Sequence, residues 1–578
     1  MKTSASKKYI YGITVLAGIA AIVSLVAQYG FYLSPGALDA FRHVDLGIAF
    51  LFVLSYLLRI FTSTDKWKTI RATPFEALLF IVFVLSLILE GIIQWRILSS
   101  DFALNYIKIY YIVVQIYLVS NMLLALTRNR ENWLFISLHP SRVFLFSFFI
   151  VIVLGVLLLK LPRATYHSIS LVDAIFISTS AVCVTGLTPV NVLNTFTPVG
   201  QGVILFLFQI GGLGIVTLTS FIALLFQQKG SFRLRDQVIL MEILDDTNLS
   251  KLGDILRSII RLTLFFELIG AVILWLRWGN FGLSPGRRIF TAVFHSVSAY
   301  CNAGFSNLQN GLESVGYNRD PVTMVTVMIL IILGGLGFYT LKDVLIERKI
   351  RSNNIHRFTL QKRMILGISG ALILAGGIFV TAVQWTSWGD MPGWLKVMNG
   401  FFTSITSRTA GFSTINVGAL SMPAIIMIML LMYIGAAPNS TAGGIKVTTF
   451  GALLAASWAF IRGKDRVEIG WNTLPMTTIR RSYIVLLVSL ALIFTAMLLL
   501  SFVEDAAFTD LLFEVVSAFG TVGLSRGVTP LLSEFGKLVI TVVMFIGRVG
   551  LYTLAIAIGR ETAARHNYEY PETNIMVG

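Results

Sequence analysis

The sequence predicts an all-α polytopic membrane protein: four tandem helix–pore-loop–helix repeats around one pore, preceded by a four-helix N-terminal bundle. Two observations carry that expectation. The first is hydropathy. Of 578 residues, 56% are hydrophobic and only 13% are charged, with a mean hydropathy of +0.80, a balance suited to a chain that crosses a bilayer many times. The second is repetition. Four short stretches end in small-residue turns built on one glycine, VCVTGL at 182–187, YCNAGF at 300–305, SRTAGF at 407–412 and FGTVGL at 519–524, and an apolar helix follows each. The key glycines, Gly186, Gly304, Gly411 and Gly523, lie 107 to 118 residues apart, and a fixed period of that kind marks four copies of one unit. Four glycine turns facing one another at membrane depth can set backbone carbonyls around an axis, where they replace the water shell of a monovalent cation. That arrangement is an ion pore.

Taken in order, residues 1–136 form the N-terminal bundle, with spans at 9–28, 45–61, 75–95 and 104–126. The apolar run from Tyr9 is long and no small-x-small cleavage site follows it, so it reads as a retained helix and not a signal peptide. Arg59, Lys66 and Lys68 resemble the second helix and loop of a voltage sensor. The fourth span, however, offers only Lys108 before Arg128, too few charges to sense a field, so the bundle is expected to be voltage-insensitive.

Each repeat pairs two spans: 142–162 with 201–226 in repeat 1 (137–240), 258–278 with 321–346 in repeat 2 (241–350), 364–386 with 422–461 in repeat 3 (351–465), and 482–502 with 536–558 in repeat 4 (466–560). A cytoplasmic tail, 561–578, follows. Between the spans lie half-helices of about ten to twelve residues, too short to cross and so expected to re-enter. The first, at about 171–182, has Ser170 and Asp173 in capping-box spacing. The second follows Ser284 and Pro285, a favoured helix start. Their C-terminal ends carry partial negative charge toward the centre, which favours a cation.

With both termini cytoplasmic, roughly 28 of the 45 Lys and Arg fall inside, about 11 outside and about 6 within spans, as the positive-inside rule requires. The net charge of +16 therefore reports orientation, and no nucleic-acid partner is expected. Cys183 and Cys301 sit at equivalent positions in different repeats and suit close packing, not a disulfide framework or a metal site. His295 beside Ser296 is no catalytic pair, since adjacent helical residues point apart. No His-x-x-His, Cys-x-x-Cys or paired-carboxylate pattern accompanies it, so no enzyme is expected.

Glycine recurs in the second helices, as IGGLG at 210–214, LGGLG at 333–337, IGAAP at 434–438 and IGRVG at 546–550. Close helix packing accounts for the first two. The third second-helix is different, because one straight helix over 422–461 would be about 60 Å long, twice the hydrocarbon thickness. Its middle, Gly435-Ala436-Ala437-Pro438-Asn439-Ser440-Thr441-Ala442-Gly443-Gly444, should unwind into a loop, and Lys446 follows. A polar loop at that depth is a gate candidate. Arg548, in the fourth glycine group, needs a partner at membrane depth, and the loop carbonyls or the Asn439-to-Thr441 side chains suit it. Arg408, at the third turn, is expected to serve structurally from behind that turn.

These stretches resemble the superfamily of potassium transporters that includes bacterial TrkH and KtrB and the plant and fungal HKT and Trk proteins. The resemblance covers about 140–560 and rests on SAVCVTGL at 180–187, RTAGF at 408–412, TAGGIK at 441–446, SAFGTVGL at 517–524 and Arg548. It implies a potassium filter at Val184, Thr185 and Gly186, at Asn302, Ala303 and Gly304, at Thr409, Ala410 and Gly411, and at Thr521, Val522 and Gly523. It also implies an intramembrane gate formed by the 435–444 loop with Lys446 and Arg548. A serine at the first filter position accompanies sodium preference in plant relatives, so Gly186 implies potassium. One glycine per turn implies fewer sites in series, hence weaker discrimination and sodium leakage.

The resemblance further implies a homodimer in the inner (plasma) membrane, one pore per chain, seated on a cytosolic TrkA/KtrA-like ring that binds nucleotide (ATP/ADP or NAD). This chain has no phosphate-binding loop of its own, so no cofactor is expected in it beyond K+ as the transported ion. The basic loops Lys229 to Arg257 and Arg348 to Arg363 suit docking. The rival expectation is a sodium- or proton-coupled secondary transporter. Such folds favour inverted repeats, whereas these four share one orientation, and only Glu267 and Glu514 offer acids for a relay.

Overall fold

Backbone polar groups in hydrocarbon must be satisfied within the chain, so the long apolar runs become helices. The structure, a computed structural model, describes residues 2–62, 140–214, 252–314, 316–345 and 360–558, with scattered positions between 67 and 118. Helices α1 (Lys2–Gly30) and α2 (Pro35–Thr62) pack together. Most of the expected third and fourth spans, the residues Lys66, Lys68 and Lys108, the basic loop 229–250, the loop 348–359 and the tail 561–578 lie outside the described residues. Arg163 anchors the end of α1, its backbone N–H donating to Gly30 O (3.0 Å) and its guanidinium to Gln28 O (2.8 Å).

The remaining helices fall into four groups. They are α3 (Pro140–Leu159), α4 (Leu171–Val182) and α5 (Pro198–Leu213); α6 (Leu252–Arg277), α7 (Pro285–Tyr300), α8 (Pro321–Gly335) and α9 (Phe338–Leu345); α10 (Leu360–Gln384), α11 (Gly393–Thr406), α12 (Met422–Tyr433) and α13 (Val447–Ile461); and α14 (Met476–Ser501), α15 (Phe508–Gly520), α16 (Glu534–Val549) and α17 (Leu551–Ile558). Among the described residues, α3, α6, α10 and α14, with α2, are long and apolar enough to cross a membrane. Their outward side chains, Leu268, Leu276 and Phe494 among them, are apolar and more than half exposed, a face that lipid and not water covers.

The half-helices α4, α7, α11 and α15 have 12, 16, 14 and 13 residues. Three exceed the expected ten to twelve because their first turns start ahead of the apolar stretch; α7 takes in Arg287 and Arg288. Even the longest rises only about 24 Å, short of the ~30 Å core. Each packs against the first and second helices of its own group and the second helix of the group before: α7 on α5, α11 on α8, α15 on α12, and α4 on α16. The last contact closes the chain on itself, and the ion pair Lys537 Nζ–Asp173 Oδ1 (2.7 Å) spans that seam. Phe176, Phe294, Phe402 and Phe513, one per half-helix, are buried in the packing.

Second helices begin at caps that the sequence supplies: Thr197 before Pro198, Asp320 before Pro321 and Ser533 before Glu534 each accept a backbone N–H of the first turn. None runs on as the continuous span expected. Helix α5 ends at Gly214 (φ 81°), α8 breaks before Gly337 (φ 81°), and α16 breaks at Gly550 (φ 87°). Glycine takes this left-handed backbone without the steric penalty other residues meet, and among the described residues the third group's loop is the longest of the interruptions. The other glycines of these motifs do serve close packing: a Cβ at Gly211, Gly334 or Gly547 would strike the carbonyl oxygen of Val182, Tyr300 or Phe519.

Asp320 combines two duties, capping α8 through Thr323 N (3.0 Å) and Thr323 Oγ1 (2.6 Å) and pairing with Arg277 Nε (2.8 Å). Asp320→Ala is expected to destabilise the fold by about 2–4 kcal/mol, a lost cap plus a lost charge-assisted bond. Thermal unfolding of the detergent-solubilised protein reads this as a lowered midpoint; an unchanged midpoint would refute the assignment.

Candidate ion pathway

At the end of each half-helix the chain turns sharply, and the half-helix backbone holds the turn. Thr185 N–H donates to Ser180 O (2.8 Å), Ala303 N–H to Ser298 O (2.7 Å), Ala410 N–H to Thr406 O (2.9 Å) and Val522 N–H to Ser517 O (2.9 Å). Two residues before each glycine, Val184, Asn302, Thr409 and Thr521 all have positive φ (57°, 57°, 78° and 48°). For β-branched residues this is strained backbone, and it persists only where the surroundings enforce it. The glycines follow at φ 94°, 68°, 79° and 92°.

The four turns meet in a closed ring, in chain order. A Cβ at Gly186 would run into Ala303 O and Gly304 Cα; at Gly304, into Ala410 O and Gly411 Cα; at Gly411, into Val522 O and Gly523 Cα; at Gly523, into Thr185 O and Gly186 Cα. At every seam that Cβ would lie 3.1 Å from the next glycine's Cα. Only hydrogen fits there. Around the ring the hydroxyls of Thr185, Thr409 and Thr521 are buried without a hydrogen-bond partner, a state proteins seldom tolerate unless an ion or water completes the site. Asn302 contributes backbone alone, because its amide lies against the carbonyls of Ala299 and Ile331, oriented to donate to both.

Residues 434–446 separate α12 from α13 as an ordered loop. Its ends close on each other through Gly435 N–H to Ile445 O (2.8 Å) and Val447 N–H to Ala436 O (3.2 Å). Its middle docks on the break in α8: Ala437 N–H donates to Gly335 O (3.1 Å), Thr441 Oγ1 to Gly334 O (3.3 Å), and Phe338 N–H to Asn439 O (3.1 Å). The carbonyls freed by one interrupted helix thus satisfy the other. Gly443 lies against the Thr521 side chain, where a Cβ would collide, so the loop abuts the fourth turn of the ring. Lys446 Nζ donates to Ala442 O (2.6 Å) within the loop.

Arg548 crosses between groups, its guanidinium donating to Thr441 O in the loop and to Gly211 O of α5. Of the expected partners it takes a backbone carbonyl; Ser440 Oγ instead turns to Ala437 O (2.6 Å). Arg408 points away from the ring and donates to Ser369 O (3.0 Å), Ser369 Oγ (3.2 Å) and Gly435 O (3.1 Å). Its partners belong to α10 and the loop's first residue, not to its own turn. Both cysteines are buried and free, and Gly212 packs on Cys301. Ser296 Oγ donates to Glu267 O (2.6 Å), turned away from His295. The docking surface at Gly334, Gly335 and Phe338 was not anticipated from sequence, although the matching glycine groups were its signal.

The family model described as "TrkH: Cation transport protein" matches residues 115–564, beginning near the end of the expected N-terminal bundle. The chain is 36% identical over 451 residues to the potassium/sodium uptake protein NtpJ of Enterococcus hirae, covering 76% of this chain and 98% of that protein. It is 34% identical over 446 residues to Ktr system potassium uptake protein B of Bacillus subtilis, covering 76% and 97%. In fold it is similar to the crystal structure of the potassium transporter TrkH from Vibrio parahaemolyticus, with a TM-score of 0.61 over 84% of this chain and 97% of that one at 17% identity. A match over most of its length, with relatives above 30% identity aligned nearly end to end, means that this chain belongs to the TrkH family of cation transport proteins.

Proposed function

We propose that this protein takes up potassium across the cell membrane through a channel-like pore whose filter is the four-glycine ring. The observation that carries the reading is the ring's closure: four strained turns touch glycine to glycine, bringing the backbone of Thr185, Ala303, Ala410 and Val522 to one place. Carbonyls so gathered can exchange for a cation's hydration shell, and the negative ends of four half-helices add to the attraction. The unpartnered hydroxyls of Thr185, Thr409 and Thr521 suit the same ion. Gly186 and the potassium and potassium/sodium uptake activities named for the relatives favour potassium, with sodium discriminated modestly by a single glycine layer.

The loop 435–444 with Lys446 and Arg548 acts as the gate. Arg548 ties loop to α5 through two charge-assisted bonds, each worth about 1.5–3 kcal/mol, and its charge beside the path opposes cations. Opening releases Thr441 from Arg548 and from the α8 break. The organisation proposed is a bundle at 1–136, four pore repeats over 137–560 and a cytoplasmic tail, in an inner or plasma membrane with both termini cytoplasmic. Two such chains assemble as a homodimer, one pore each, on a cytosolic nucleotide-binding ring that supplies the gating signal.

Flux through the purified chain in liposomes is expected to favour potassium and rubidium over sodium with no second gradient applied. A requirement for a sodium or proton gradient would instead establish a coupled transporter. Gly186→Ser should lower the potassium-to-sodium ratio about tenfold, equivalent to ~1.4 kcal/mol, since the new side chain meets Ala303 O at a backbone angle that serine resists; an unchanged ratio removes this turn from the filter. Arg548→Gln should raise basal flux severalfold, whereas a fall in flux with intact folding would make the loop a support of conduction.

A further inference from the structure

The four half-helices divide into two kinds at the position nine residues ahead of the ring glycine. It holds Ile177 and Phe402 in the first and third, but His295 and Glu514 in the second and fourth. Both polar side chains are fully buried. Both reach the same target, the serine two residues beyond the ring glycine: His295 Nε2 lies 2.7 Å from Ser306 Oγ, and Ser525 Oγ donates to Glu514 Oε1.

Each contact belongs to a wider clasp. His295 Nδ1 lies 2.9 Å from Thr291 O, and a carbonyl only accepts, so Nδ1 carries the proton and Nε2 accepts from the Ser306 hydroxyl. Ser306 Oγ in turn accepts Leu308 N–H (3.2 Å), stapling the outward limb to the half-helix. In the fourth turn, Thr529 Oγ1 donates to Glu514 Oε2 (2.9 Å), while Arg526 pairs with Asp510 and donates to Gly418 O (3.3 Å). At the base of the turns all four groups use a half-helix hydroxyl: Ser180 and Ser517 accept Gly186 and Gly523 N–H, and Ser298 and Thr406 donate to Phe305 and Phe412 O. The clasps that set the second and fourth groups apart therefore lie on the outward limbs. There the first and third groups offer Thr188 and Ser413, with Ile177 and Phe402 at the half-helix position; Ser413 turns to Ile415 O and to the Glu313 carboxyl, which is not on the half-helix.

Because the ring closes in chain order, the second and fourth turns face each other across it. We infer that His295 and Glu514 are positioning residues of the filter, which by clasping Ser306 and Ser525 hold the ring's width along one diagonal and so set how well it separates potassium from sodium. The inference rests on the reading of the ring as the filter. Its physical basis is that ion or substrate groups must be held within about 0.5 Å to discriminate, and a hydrogen-bonded clasp resists displacement in direction as well as distance, which apolar packing does not.

The test is the potassium-to-sodium flux ratio of the full chain in liposomes for Ser525→Ala, Ser306→Ala, Glu514→Ala and Glu514→Gln, with Gly186→Ser alongside. Each alanine variant is expected to lower the ratio at least threefold. The Ser525→Ala/Glu514→Ala double variant should match Glu514→Ala alone, since that single already removes the Ser525 bond together with the Thr529 bond, and Glu514→Gln, whose amide oxygen still accepts from Ser525, should recover part of the loss. Ile177→Val should leave the ratio unchanged. If Glu514→Ala fails to fold, Ser525→Ala, which removes a single oxygen, still decides. A ratio lowered by Gly186→Ser but untouched by both serine variants overturns the clasp and leaves the filter; a ratio untouched by all of them overturns both.

Discussion

The contact on which the rest of this structure depends is backbone against backbone at four glycines. Side chains are excluded at every seam of the ring, so the turns approach as closely as polypeptide allows, and their peptide groups are shared around one axis. Such an approach is costly. It needs left-handed backbone at eight positions, four of them not glycine. The surrounding helices bear that cost: a half-helix is wedged between two second helices in every group, with a phenylalanine filling the gap behind it.

The same rule governs the interrupted second helices. A helix that breaks inside a membrane frees carbonyls and N–H groups that must find partners. Here the break in α8 and the long break between α12 and α13 answer each other, Gly334, Gly335 and Phe338 bonding with Ala437, Asn439 and Thr441. Arg548 completes the arrangement by serving carbonyls from two other groups. The loop is thus ordered by bonds that are few, polar and reversible, while the ring above it is held by close packing.

Arg408 links the two parts. It leaves the third turn and reaches Gly435 O, near the start of the loop, so the ring's third turn and the loop's origin share one side chain. A pseudo-fourfold ring need not be fourfold in its supports. The outward clasps of His295 and Glu514 reduce it to a diagonal pair, and the seam between first and last groups has its own ion pair, Lys537 with Asp173.

Hydropathy, period and capping residues determined much of this protein unaided. The four turns, the half-helix over 171–182 with its Ser170 cap, the start at Pro285 and the unwinding within 422–461 were legible because each follows from local rules: a length that cannot span, a residue that caps, a cluster that cannot stay helical. The candidate site was legible as far as its glycines, its loop and Arg548, since those residue types are anomalous where they stand. What only the tertiary structure decided is who touches whom. Glycines in 210–214 and 333–337 read as close packing, yet Gly214 and Gly337, like Gly550, also take positive φ where their helices end. The partners of Arg548 and Arg408 are backbone carbonyls, which carry no signature in sequence, and the closure of the ring from Gly523 to Gly186 joins residues at opposite ends of the pore region. Local chemistry writes the elements; long-range contact alone chooses among the conformations each element permits.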